Sequence, residues 1–92
     1  MLVDRGANVA DIGTDHGYVP IYLKKNNIAH KVIAMDVRSG PLSHARENTL
    51  KFALEGKIDL RLSDGLEKLA PYEVDTVIIG GMGGDLVLKI LT

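Results

Sequence analysis

Val9-Ala10-Asp11-Ile12-Gly13-Thr14-Asp15-His16-Gly17-Tyr18 is a short apolar run that carries one acid and breaks into a glycine turn. A helical pattern starts at Tyr18, so the stretch predicts a strand, a glycine loop and a helix in succession. In an open parallel sheet such a loop lies at the carboxyl ends of the strands, where small ligands bind. Glycine suits that position because the backbone turns sharply and ligand atoms can approach the main chain closely. The start of the helix adds backbone N–H groups that have no intrahelical partner.

The same alternation continues outward from this stretch. Ala7 to Ile12 is the strand, and the helix runs from Tyr18 to Asn26. Pro20 sits in its first turn, where a missing N–H costs nothing; Val19, Tyr22 and Leu23 are placed to face a sheet. Lys31 to Asp36 is a second strand, whose continuous run Val32-Ile33-Ala34-Met35 marks burial on both faces. Asp36 closes it 23 residues after Gly13, near the spacing of an acid that hydrogen-bonds a ribose; a simple strand-end turn acid is the other reading. Ser39-Gly40-Pro41 opens a second helix with an inner stripe of Leu42, Ala45, Thr49 and Phe52, stopped by Gly56. Ile58 to Ser63 alternates, which predicts an edge strand with one wet face. Ser63-Asp64-Gly65 leads into a short helical turn through Leu66 and Leu69, where Asp64 and Glu67 have the spacing of a capping box. Asp75 to Ile79 is a fourth strand. Gly80-Gly81-Met82-Gly83-Gly84 follows it, and Asp85 is read as opening a helix through Leu86, Val87, Ile90 and Leu91.

The four clusters Asp11–Tyr18, Asp36–Ser39, Ser63–Gly65 and Gly80–Gly84 each follow a strand. Right-handed crossovers bring those ends to one side of the sheet, so the chain builds one crevice from four loops. At 92 residues, 46% hydrophobic and 25% charged, this is the composition of one small globular domain or part of a larger one. There is no cysteine, hence no disulfide framework and no thiolate metal site; that fits a reducing cytoplasm, the expected location. No apolar run approaches membrane-span length, and Met1 to Gly6 does not have the form of a signal peptide. A net charge of −1 argues against strong nucleic-acid binding by this surface alone. His16, His30 and His44 share no ligand spacing, so no metal is expected. His30 and His44 read as surface residues, and His16 lies in the glycine loop.

The loop is not the G-x-G-x-x-G of a dinucleotide site. Its D-x-G-x-x-x-G resembles the first motif of class I S-adenosylmethionine (SAM) dependent methyltransferases, whose ligand has an amino-acid tail and a sulfonium in place of a pyrophosphate. For such a ligand, Asp64 gains a second reading beside the cap, as the acid that accepts from the adenine amino group. The glycine-rich stretch after the fourth strand would then lie under a planar substrate.

Taken together, A-D-I-G-T-D-H-G-Y-V-P (Ala10 to Pro20), A-M-D-V-R-S-G-P-L (Ala34 to Leu42), R-L-S-D-G-L (Arg61 to Leu66) and D-T-V-I-I-G-G-M-G-G (Asp75 to Gly84) are similar to the amino-terminal part of the bacterial tRNA (adenine(22)-N(1))-methyltransferase family. Gly17 and Gly80 stand where the family has alanine. The resemblance implies an α/β fold, the Rossmann-like three-layer sandwich of class I methyltransferases, here truncated after about four parallel strands in the order 3-2-1-4. It implies SAM as methyl donor and N(1) of an adenine in tRNA as acceptor. Carried onto this chain, it assigns Asp11, Gly13, Thr14, Asp15, His16, Gly17 and Tyr18 to the amino-acid tail of SAM. Asp36 and Val37 fall to the ribose, and Ser63, Asp64 and Gly65 to the adenine. Gly80 borders the cofactor, and Gly81, Met82, Gly83 and Gly84 line the acceptor side. No catalytic acid or base is implied, since the leaving group is neutral and alignment is the main requirement.

The family's sheet is longer, and its helical carboxyl-terminal domain aids tRNA binding. The 92 residues are therefore expected to form a partial catalytic domain, inactive alone and with weak or no tRNA affinity of its own. Two other classes fit part of the pattern. A nicotinamide-binding half-domain of an oxidoreductase suits Asp36 but not the glycine spacing, and a non-catalytic remnant that self-associates suits the short sheet. With no fifth strand beyond it, the fourth strand is expected to expose an apolar edge, Val77-Ile78-Ile79, through which two copies pair as a homodimer.

Overall fold

The computed structural model describes residues 3–81 and 84–89. Five strands and two helices alternate as β1 (Ala7–Ile12), α1 (Tyr18–Lys25), β2 (Ala29–Asp36), α2 (Ser39–Lys51), β3 (Asp59–Leu62), β4 (Thr76–Gly81) and β5 (Gly84–Lys89). They form one sheet in the order β3-β2-β1-β4-β5. The first four strands are parallel and β5 is antiparallel to β4.

Handedness explains the layers. The crossovers β1→β2 and β2→β3 step in the same direction across the sheet, so right-handed connections put α1 and α2 on the same face. There Ile21 and Leu23 of α1, with Leu54 and Ile58 after α2, pack on Val9, Val32, Ala34 and Ile78. The β3→β4 connection steps back past β2 and β1, so it crosses the opposite face. It does so without a regular helix, and Leu69 and Val74 pack on Ala10, Ile33, Met35 and Val77. β2 is sandwiched between the two layers, and Val32 to Asp36 are all buried. That accounts for its unbroken apolar run.

Side-chain periodicity misplaced two aromatics. Tyr22 is half exposed and its neighbour Ile21 is buried in its place. Phe52 lies at the C-cap of α2 rather than on its inner stripe, and its ring carries the Lys25 ammonium 5.0 Å from its centroid. α2 ends at Lys51, and Gly56 lies in the turns that follow.

The end of the chain differs from expectation. Asp85 to Lys89 belong to a strand, not a helix, and β5 pairs along β4 from Thr76↔Lys89 to Gly81↔Gly84. Ile90, Leu91 and Thr92 lie outside the described residues. Leu86-Val87-Leu88 satisfies either periodicity, and the deciding factor is the unpaired N–H and C=O row of β4, which a hairpin satisfies and a helix cannot. The fourth strand is therefore not an exposed edge, and the homodimer through that edge has no free ladder to use. Ile78 is wholly buried, so it belongs to the core rather than to an interface. The outer strands are β3 and β5.

The helix-free crossover is held by charge. Arg61 on β3 donates from Nη1 to the Lys68 carbonyl at 2.7 Å and to Glu73 Oε1 at 2.8 Å, and from Nη2 to Glu73 Oε2 at 2.6 Å and Asp59 Oδ2 at 2.8 Å. Glu73 also accepts from the Ala70 N–H and from Lys31 Nζ. The Arg61 guanidinium, then the Ala70 N–H, hold the Glu73 carboxyl far below its ordinary value. A depressed carboxyl stabilises the fold above its unfolded pKa, 4.5, and that stabilisation fades as pH falls toward the folded value. Glu73→Gln should therefore be less stable at neutral pH. Its stability should also depend less steeply on pH below 4.5 than that of the parent. Urea midpoints at neutral pH and at about pH 3 check this; parallel pH slopes in the two proteins would assign the acid sensitivity to another group.

Candidate functional site

The carboxyl ends of β1, β2, β3 and β4 meet as the sequence implies. The glycine loop leaves β1 at Gly13, whose φ of +71° requires the left-handed region, and folds directly onto β2. The N–H groups of Gly13 and Thr14 both donate to the Met35 carbonyl at 2.9 Å. Asp15, also at positive φ, donates its N–H to Asp36 Oδ2 at 3.3 Å. From the other side, the Ser63 N–H after β3 donates to the Asp36 carbonyl at 3.0 Å. A Cβ placed on Gly13 would lie 3.9 Å from the Gly80 carbonyl, so the fourth strand end borders the same rim.

Asp11 is not at the loop's surface. It is buried under the loop, where Oδ2 accepts from the hydroxyl of buried Thr14 at 2.9 Å. Its position braces the turn from inside. Gly17, φ +78°, is the N-cap of α1 and has no side chain to cap with, which leaves the first helical N–H groups without a side-chain partner. The Asn48 amide of α2 donates to the His16 carbonyl at 2.7 Å. The His16 ring stacks at 5.5 Å centroid separation on both Tyr18 and His44, with interplanar angles of 27° and 10°. Nothing in the spacing of the histidines foretells the His16–His44 pair. The usable signal was Ala45, the small residue next to His44, against which the loop packs.

Asp36 is the best-connected acid of the site. Its carboxylate is 1% exposed and faces the Arg38 guanidinium, with Nε at 3.1 Å. Burial pushes its carboxyl up, but the Arg38 side chain and the backbone N–H donors of Arg38 and Asp15 outweigh burial and hold it below its ordinary value. It is thus an anion at neutral pH. Val37, next to it, is exposed.

The capping-box reading of Asp64 does not hold. Residues 64–68 form turns rather than a helix, and it is buried Ser63 whose hydroxyl accepts from the Lys68 N–H at 3.2 Å and donates to the Gly65 carbonyl at 3.1 Å. Asp64 is exposed, and among the described residues no hydrogen bond to its carboxylate is found. Serine one position earlier does the capping because its short hydroxyl reaches back into the turn. The glycine cluster is divided: Gly80 and Gly81 end β4 and Gly84 begins β5, while Met82 and Gly83 lie outside the described residues.

Four parallel strands in the order β3-β2-β1-β4, with a glycine loop after β1 and a buried acid ending β2, place the chain in the Rossmann-like class of α/β proteins. The chain belongs to the methyltransferase domain family, whose model matches residues 1–92. It is 40% identical over 89 residues to the tRNA (adenine(22)-N(1))-methyltransferase of Bacillus subtilis, covering 97% of this chain and 37% of that protein. In structure it resembles M. capricolum TrmK in complex with the cofactor product S-adenosyl-homocysteine (SAH), with a TM-score of 0.80 and 43% identity over 87% of this chain and 37% of that one. Streptococcus pneumoniae Sp1610 in complex with S-adenosyl-L-methionine gives a TM-score of 0.81 at 36% identity, over 89% of this chain and 39% of that one. The chain spans less than two fifths of the length of the curated relative.

Gly17 carries the loop–helix junction. A Cβ there would come within 3.0 Å of Ala45 Cβ and 3.3 Å of Ala45 Cα, on top of the positive φ. Left-handed backbone alone costs a non-glycine residue roughly 1–2 kcal/mol, and the contact with α2 adds to it. Gly17→Ala should lower the melting temperature by several degrees, whereas Gly6→Ala, with open space around its Cβ, should lower it less. Thermal melts of the two variants check the ordering.

Proposed function

We propose that this chain carries the cofactor-binding part of the catalytic domain of a SAM-dependent tRNA (adenine(22)-N(1))-methyltransferase. One observation carries the reading: three loops hydrogen-bond to Met35 and Asp36 and leave a buried carboxylate between them, in a chain whose relatives are tRNA methyltransferases and structures holding SAM or its product.

The residues present fit that ligand. Asp36 offers a desolvated anion for the ribose hydroxyls, with Val37 exposed beside it. The loop Gly13-Thr14-Asp15-His16-Gly17-Tyr18, braced by Asp11, offers backbone N–H groups at the start of α1 for a carboxylate tail. Asp64, which serves no cap, can accept from the adenine amino group, between Ser63 and Gly65. Gly80 keeps the rim low beside Gly13, and Gly81 and Gly84, which end β4 and begin β5, flank the acceptor side. SAM supplies a methyl group on a sulfonium, whose departure leaves a neutral thioether. The chain's own task is alignment of that methyl with N(1) of the adenine, which has to be drawn out of its stack. No side chain here is assigned a proton transfer.

With a net charge of −1, this surface contributes little to tRNA affinity. No helix among the described residues is long and apolar enough to cross a membrane, and a tRNA-modifying role belongs in the cytoplasm. Self-association through a strand edge would use β3 or β5, since β4 is paired on both sides.

Calorimetric titration with SAM and with NAD tests the reading; binding of SAM and not NAD is expected, and the reverse would identify an oxidoreductase half-domain. Charge-assisted hydrogen bonds contribute roughly 1.5–3 kcal/mol each, so Asp36→Asn should weaken SAM binding by at least about tenfold. Asp64→Ala should weaken SAM binding while leaving the melting temperature nearly unchanged, because Ser63 rather than Asp64 holds the turn. A variant that melts early yet binds normally would return Asp64 to a structural role.

A further inference from the structure

The Asp36 carboxylate has no acceptor position to spare. Oδ1 accepts from the Arg38 backbone N–H at 2.9 Å and from Arg38 Nε at 3.1 Å. Oδ2 accepts from the Asp15 N–H at 3.3 Å and from Arg38 Nη2 at 3.4 Å. Two carboxylate oxygens offer about four lone-pair positions, and four donors take them. Two of the donors are backbone groups, fixed by the glycine loop and by the turn after β2. The other two belong to one guanidinium, on a side chain that is 63% exposed while its carboxylate partner is 1% exposed. A ribose that places two hydroxyls on Asp36 needs the positions that Arg38 holds. The backbone donors cannot leave without unmaking the loop. The guanidinium can leave by rotating its stem into water.

We propose that Arg38 is an internal competitor for the ribose position: it fills the Asp36 carboxylate when no ribose is bound and swings out when one binds. This rests on the reading of Asp36 as the ribose acid. In the empty site the guanidinium compensates an anion that is cut off from water, which would otherwise be costly. Its net hold is weak, because one partner is mostly solvated. Arg38 therefore lowers affinity modestly, and equally for any ligand with the same vicinal diol, SAM and SAH alike. A site closed about two thirds of the time binds roughly threefold more weakly than one always open.

SAH is the probe, titrated calorimetrically into the parent chain, Arg38→Met, Asp36→Asn and the double variant. Methionine keeps an unbranched stem and removes the donors. The expected result is binding about threefold tighter in Arg38→Met, a gain that disappears in the Asp36→Asn background. In the parent chain, the Arg38 Nε–H resonance should shift to the position of a solvated guanidinium on saturation with SAH, a readout that needs no variant to fold. Equal or weaker binding by Arg38→Met, or an Arg38 resonance unmoved by SAH, overturns the proposal. If Asp36→Asn binds SAH as well as the parent does, the ribose reading has failed and the competitor with it. A loss in Asp36→Asn without a gain in Arg38→Met refutes the competitor alone.

Discussion

The carboxyl end of β2 is the anchor of the molecule. Met35 and Asp36 are consecutive and buried; Met35 is paired on both sides by parallel strands, and Asp36 on the β3 side. Past those ladders, the Met35 carbonyl takes two N–H groups of the glycine loop, and the Asp36 carbonyl takes the N–H that starts the loop after β3. The Asp36 side chain ties in the top of the glycine loop and the turn leading to α2. Each bond alone contributes on the order of 1 kcal/mol net. Their common origin matters more: three loops take their positions from two residues of the most rigid strand, so a ligand placed among them meets a preorganised wall.

Much of this was legible in the sequence, for identifiable reasons. The run Val32 to Met35 is apolar at every position, which only a strand covered on both faces tolerates, and that put β2 inside the sheet. Gly13 and Gly17 both adopt positive φ, and α2 lies against Gly17; the first feature is local and readable, the second needs the packed structure. Of the two readings of Asp64, the cap fails because the D-x-x-E spacing says nothing about whether a helix follows, whereas the hydroxyl one position earlier is in reach of the turn. Leu86-Val87-Leu88 was misread because three apolar residues fit both periods, and only the neighbouring open ladder chooses between them. The Arg38–Asp36 pair was also invisible: an arginine two residues past a strand end is common, and its guanidinium's return onto the carboxylate depends on burial that only the fold supplies.

The crossover from β3 to β4 joins the stability of the sheet to the geometry of the site. A doubly covered parallel sheet ordinarily lays a helix on this face, and a helix would satisfy its own backbone. Here residues 64–74 make turns, so their polar groups need outside partners. Arg61 and Glu73 supply them, and both are largely shielded from water, with side chains 22% and 15% exposed. The segment that carries Asp64 is thus held at one end by the Ser63 turn and along its length by an ion pair on the far face of the sheet. The Arg61–Glu73 pair and the Ser63 turn meet at Lys68, whose carbonyl accepts from Arg61 and whose N–H donates to the Ser63 hydroxyl. The segment that follows Asp64 is therefore tied to the sheet by a charge pair on the opposite face from α2, through Arg61 to the Lys68 carbonyl and to Glu73.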